Sequence, residues 1–479
     1  MIKGRFTALV LMAALPAMAA SYFVDSQNGS DLATGQTADL AWKSLAQANK
    51  AALKPGDSLQ FKCGGAWTGQ LNLKIAGAEN NPIVVTDYGT GARPVFENPA
   101  AGTANAINLS AGWIRVENLL VRNVFQVGIN ISSGADHIGL SNLEITDCGI
   151  GVNMTGRYGL VTKSHFHDLH IVVNTPKSLN DNDDYGAVGV VLSNSDNEVA
   201  FCRFIRCVAP SADYGVDGGA VEIWADKDIR NIYIHHNSAY RCSGFFEIGG
   251  KGFAVEAVRV AYNELADCFG LSFLFVNNSG DYTVKLTDYR FENNTLVVHD
   301  CPGEKIWTCI AWQAASPPGV FTMRNNLFYV HNADRILWNV TAPVEDHNLV
   351  FHLGTAFFDK NFTASAQDII GKDPLLTSPG TCAENGDYRI KAGSPAIDAG
   401  AALGYAADLA GISVPNGSSP DIGAYEFSGG LTGLRSGRSF TEETGWSRIG
   451  PGNGSRQGIF WRNGSESTDG SDASGRRIH

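Results

Sequence analysis

The chain has 479 residues, with 48 acidic against 36 basic side chains (net −12) and only 18 % charged residues. Its 54 glycines are about 11 % of the chain, against roughly 7 % in ordinary proteins. The length suffices for a large core or for two to three domains. The acidic balance excludes a nucleic-acid or anionic-membrane partner, since both demand basic stripes. High glycine with 10 % aromatics points to tight turns between short buried strands rather than to a helical bundle.

Residues 1–20 read as a secretory signal. Lys3 and Arg5 form a positive start, an apolar run follows, and Ala17-Met18-Ala19 is a small-x-small cleavage site. The run is shorter than the ~18 apolar residues of a membrane span. The mature chain is expected to be secreted or periplasmic, and monomeric.

Residues 21–105 are expected to form an N-terminal cap, with a short helix in AWKSLAQANKAAL, and the first coils of the stack. From 106 to 350 the chain repeats. Short β-branched and aromatic runs end at Asn118, Asn142, Asn237, Asn263, Asn294 and Asn326, with spacings of 24, 26, 31 and 32 within the two series. Such a period without helical segments predicts a β-solenoid, whose turn asparagines can stack as a ladder of amides. Cys148, Cys207, Cys242 and Cys268 recur in similar local words and are expected as a row of small buried side chains. Residues 351–427 are read as closing coils, and the Gly/Ser/Arg-rich segment 428–479 as a disordered tail.

Two segments align at a spacing of 33: DYGAVGVVLS from Asp184 and DGGAVEIWAD from Asp217. The next rung carries FEIGGK. Equivalent residues in parallel strands stack about 4.8 Å apart, and alternate residues share a face. Val221, Ile223, Phe246 and Ile248 should point inward. Glu222, Trp224 and Asp226 should face solvent, with Glu247, Gly249 and Lys251 above them. Two stacked glutamates need a cation, a lysine or a shared proton. Trp224 would be a sugar platform, with Tyr185, Tyr214, His165 and His167 as further substrate contacts. His235 and His236 are expected to face away. Loop carboxylates Asp181, Asp183, Asp184, Asp213 and Asp217 suit calcium, so a Ca2+ site from Glu222, Glu247, Asp217 and Asp184 is expected.

YFVDSQNGSD, KPGDSLQFKCGG and NPIVVTDYGTG near the start, and DPLL, AGSPAIDAG and PDIGAYEF near residue 427, carry a resemblance to secreted proteins of the pectate-lyase-like superfamily. The opening is similar to that of polysaccharide lyase family 6. The resemblance spans roughly residues 22–427 and implies an all-β, right-handed parallel β-helix. It also implies a calcium held by acidic and amide side chains on adjacent rungs, a lysine base and an arginine partner. Lys251 or Lys227 would be that base and Arg241 the partner, although Phe-Glu-Ile-Gly-Gly-Lys stands where the family's arginine rung is expected. The resulting expectation is a polysaccharide lyase that cleaves an acidic, alginate- or pectin-like glycan by β-elimination. A retaining hydrolase that uses the Glu222/Glu247 pair is the alternative, since its carboxyls lie ~5–5.5 Å apart. A non-catalytic glycan-binding β-helix is the third reading.

Overall fold

The computed structural model describes residues 19–102, 105–179, 183–225, 227–250, 252–268, 271–275, 284–301, 306–312, 317–331, 333–353, 363–382 and 386–429. Residues 1–18, Asp181, Asp226, Lys251 and the residues from 430 onward, with the signal and tail expected there, lie outside them.

Short strands, one from each of three walls, succeed one another in coil after coil and pair in parallel with the same wall of the next coil. Wall 1 is a twelve-stranded sheet running from Ser21–Val24 to Val344–Asp346. Wall 2 includes Glu144–Thr146, His165–His167, Arg203–Ile205, Ser238–Tyr240 and Glu264–Ala266. Wall 3 includes Cys148–Met154, Val188–Leu192, Gly219–Ala225, Phe246–Gly250 and Leu271–Phe275. The twelve-residue strand Leu120–Ile131 belongs to both walls 2 and 3. This is a right-handed parallel β-helix. Every second side chain enters one continuous apolar core, which contains Val221, Ile223, Phe246 and Ile248. Burial on that scale, at about 25 cal/mol per Å² of apolar surface, is the main force holding the coils together.

The helix in the N-terminal cap is a single turn, Leu45–Ala48, capped by Ser44 Oγ on the Gln47 amide.

The corner between walls 1 and 2 holds the asparagine ladder. The backbone amide of Asn237 donates to Asn263 Oδ1, that of Asn263 to Asn294 Oδ1, and that of Asn294 to Asn326 Oδ1, each at 3.0 Å. The Asn326 amide continues the row to Asn348 Oδ1. All five asparagines are buried. Asn118 and Asn142 occupy the preceding position of this corner instead, in left-handed backbone (φ 64° and 51°), level with His236 and Tyr262. The ladder position in their coils holds Leu119 and Leu143. The sequence series therefore mixed two neighbouring columns, because asparagine suits both a left-handed turn and an amide stack.

At the next corner the Cys242 thiol contacts those of Cys207 and Cys268. Leu169 holds the corner between Cys148 and Cys207. Cys301 and Cys382 form a disulfide.

Beyond Ile370 the chain leaves the stack. Leu376, Tyr388, Ile390, Ala396 and Ile422 pack on outward residues of wall 2, namely Ile205, Tyr240, Ala266, Val297, Leu327 and Leu349. This strap binds the wall through buried Glu264, which accepts from the hydroxyls of Tyr240 and Tyr425. It also takes the Nε2 hydrogen bond of His236 on the Ala407 carbonyl.

Candidate active site

Outward positions of wall 3 form a column in strict register. Asn72, Asn108, Asn130, Asn153, Val191, Glu222 and Glu247 follow one another, each paired with the next. The asparagines are bonded in twos: Asn108 Nδ2 to Asn72 Oδ1 at 3.2 Å, and Asn153 Nδ2 to Asn130 Oδ1 at 3.0 Å. The two glutamates therefore stand one above the other on the outer face. They are not solvated as the alternation pattern suggested. Glu222 is 2 % exposed and Glu247 half-buried, while Val191 below them is fully buried. Burial pushes both carboxyls up from the ordinary glutamate range, and the negative charge of Glu222 raises Glu247 further. At neutral pH the pair holds a proton.

Trp224 is the register partner of Gly249. A Cβ at Gly249 would lie 2.4 Å from the Trp224 ring, so the half-buried indole covers the glycine. Lys227 is exposed, just past the end of that strand.

Two insertions rise at the corner between walls 2 and 3. Ile171–Val173 pairs antiparallel with Tyr185–Gly186, and Ala209–Ser211 with Gly215–Asp217. Buried Asp184 knots the two ribbons together by accepting from the Thr175 amide (2.7 Å), Ser211 Oγ (2.7 Å) and the Asp213 amide (3.0 Å). These donors lower its pKa against the effect of burial. Asn174 also receives the Ala212 amide. Tyr185 packs on Val127, Ile150, Val188 and Val191, a small apolar cluster outside the main core. Tyr214 sits at the tip of the second ribbon, its amide on Ser211 Oγ. Asp217 ends that ribbon and accepts from the Gly218 amide.

The expected calcium ligands are not gathered as one set. Among the described residues, the group of three carboxylates able to share an ion is Asp183, Asp184 and Asp213, with ligand atoms within 4.8 Å of one another. Asp184 already spends its Oδ2 on two donors, and Asp183 Oδ1 accepts from Thr175 Oγ1. The trio could admit a hard cation, and it also closes as a purely hydrogen-bonded knot.

His165 and His167 lie on wall 2, in register with Arg203 and Ile205, and so on a different wall from the glutamates. Burial and the neighbouring cations Arg203 and Arg206 bring His165 down to about 4. His167 Nδ1 is 2.7 Å from Asp168, which also receives Arg206. Arg241 is a corner residue that donates to the Cys382 carbonyl. His235, bonded to Glu198 at 2.9 Å, belongs to wall 1 and stays away from the site.

Sequence reasoning missed the asparagine column and Val191. Their signal was present: LNL, INL, INI, VNM, VVL, VEI and FEI are one triplet pattern, two apolar residues flanking a middle position that changes from Asn through Val to Glu.

No family model matches the sequence, and no curated protein does. Solved structures do. Pectate lyase Pel9A aligns over 85 % of this chain and 96 % of its own, with a TM-score of 0.52 and 18 % identity. GH136 lacto-N-biosidase from Eubacterium ramulus aligns over 73 % of this chain and 68 % of its own, with a TM-score of 0.50 and 16 % identity. At these identities the likeness is one of fold, and the fold is the pectate-lyase-like parallel β-helix.

Proposed function

We propose that the chain is a secreted carbohydrate-active enzyme that cleaves glycosidic bonds at the Glu222/Glu247 pair. The observation that carries the reading is the stacking of a buried and a half-buried carboxyl on one outer wall beside an indole. Two acids one rung apart cannot both ionise cheaply, so one stays protonated. A protonated carboxyl beside an ionised one is what a retaining glycosidase uses. Glu247 is the more accessible of the two, which suits an acid that protonates the leaving oxygen and later activates water. Glu222, the deeper of the two, then serves as the nucleophile. Trp224 offers its face to the sugar ring.

The second reading is β-elimination on an acidic polysaccharide, with Lys227 or Lys251 as base. Lys227 favours it, being exposed at the end of the Trp224 strand. In that reading a cation at Asp183, Asp184 and Asp213 would stiffen the ribbons. A secreted location is supported by the leader-like first twenty residues. No helix among the described residues is long and apolar enough to cross a membrane.

The test is incubation of the purified protein with a panel of neutral and acidic polysaccharides. New reducing ends without an unsaturated chromophore support hydrolysis, and unsaturated ends support elimination. Glu222→Gln and Glu247→Gln should each lower the rate by about 10³-fold. Full activity in both variants overturns the assignment.

A further inference from the structure

We infer that the enzyme attacks chain ends, because the first ribbon is a stop that seals wall 3 on the N-terminal side of the glutamate pair. This rests on Glu222 and Glu247 being the cleavage centre, and it goes beyond that reading by fixing how a polymer can enter.

A long glycan cut internally must continue past the cleavage centre in both directions. On one side the next outward position of the column is Val191, and it is fully buried. Val191 belongs to a buried apolar cluster with Val188, Ile150 and Val127, drawn from three coils of the wall, and Tyr185 of the ribbon packs against that cluster. The ribbon's first strand, Ile171–Val173, also lies close to the wall. A Cβ at Gly149 would meet Val172 Cγ2 at 2.1 Å, so Val172 rests directly on the wall-3 backbone one coil further along. Ser193, on the coil below Trp224, is likewise fully buried. A sugar bound at the glutamates therefore meets packed protein where its next unit would lie.

The stop is held in place. Asp184 precedes Tyr185 and is tied to Thr175, Ser211 and Asp213. Gln126 Nε2 reaches the Tyr185 hydroxyl at 3.3 Å. The half-buried Asn130 and Asn153, which in an open groove would line the path, follow in the column on the far side of buried Val191 from the glutamates. Tyr185 is thus a specificity-determining residue, and the ligand it selects is the terminus of a linear glycan.

The experiment uses the full chain on a long polysaccharide that it cleaves, following viscosity and reducing ends together and sizing the products. Wild type should release short products of one size while viscosity falls slowly. Tyr185→Ala, and independently Asp184→Ala, should shift the products toward mixed lengths and raise the viscosity loss per bond cut at least severalfold. The melting temperature of each variant checks its fold. A rapid early viscosity drop with wild type overturns the inference while leaving the cleavage centre intact. End-wise products from wild type and from both folded variants also overturn it, because the ribbon is then not the stop. Absence of cleavage on every polysaccharide overturns the cleavage centre, and this inference with it.

Discussion

Trp224 occupies the volume that any side chain at Gly249 would need, with the ring 2.4 Å from where its Cβ would stand. The strand pairing that stacks the glutamates also aligns this glycine with the indole. Gly249→Ala should push the ring off the wall, raise KM about tenfold and lower stability by ~1–3 kcal/mol through overpacking. In a Trp224→Ala background the same change should be nearly silent, and the double-mutant cycle measures this coupling.

The raised pKa of the glutamate pair makes a stability prediction whose sign is fixed. Both carboxyls ionise less readily folded than unfolded, so the stabilisation is fully present below the unfolded value of 4.5 and is lost as pH rises through the folded values. Glu222→Gln, which cannot ionise, should therefore melt higher than wild type at pH 8, with the gap shrinking toward pH 4. An equal gap at both values would mean that the carboxyls are solvated.

In the interior ladder, Asn263 Oδ1 receives the Asn237 amide, and its Nδ2 donates to the Ile234 carbonyl and to Asn294 Oδ1. Asn263→Ala strands buried donors and acceptors in two adjacent coils. At about 1–3 kcal/mol for a stranded group, it should cost several kcal/mol in denaturant unfolding. Asn142→Ala, at an exposed turn, should cost clearly less.

Chelation separates the two chemistries. The carboxylate trio belongs to the ribbons, and Asp184 has its Oδ2 committed to hydrogen bonds. A chelator should leave the cleavage rate within twofold of its starting value. A tenfold loss restored by calcium would put a cation in the reaction and favour elimination.

The architecture was legible in the sequence because each coil rewrites the same alternation, and the stacking of Glu222 on Glu247 followed from counting that alternation. Burial was not legible. Glu222 is 2 % exposed although alternation puts it on the outer face, and nothing in the repeat announces where an insertion such as the ribbon before Val188 folds. His165 and His167 misled for a related reason. Alternation placed them outward, but the wall they face depends on where the corner falls. A single left-handed residue such as Asp168 decides that. Asn118 and Asn142 likewise blended into the ladder because one residue type serves two adjacent positions.

The strap over wall 2 has a mechanical meaning for the whole stack. A solenoid whose coils touch only their neighbours can fray from either end, one unit at a time. Here a single segment grips outward residues from Ile205 to Leu349, so it spans six successive coils at once. Opening any one of them must also peel the strap from the others. The C-terminal half of the molecule should therefore unfold as one cooperative block, and the coils before Arg203, which contribute nothing to the strap's cluster among the described residues, as a separable one.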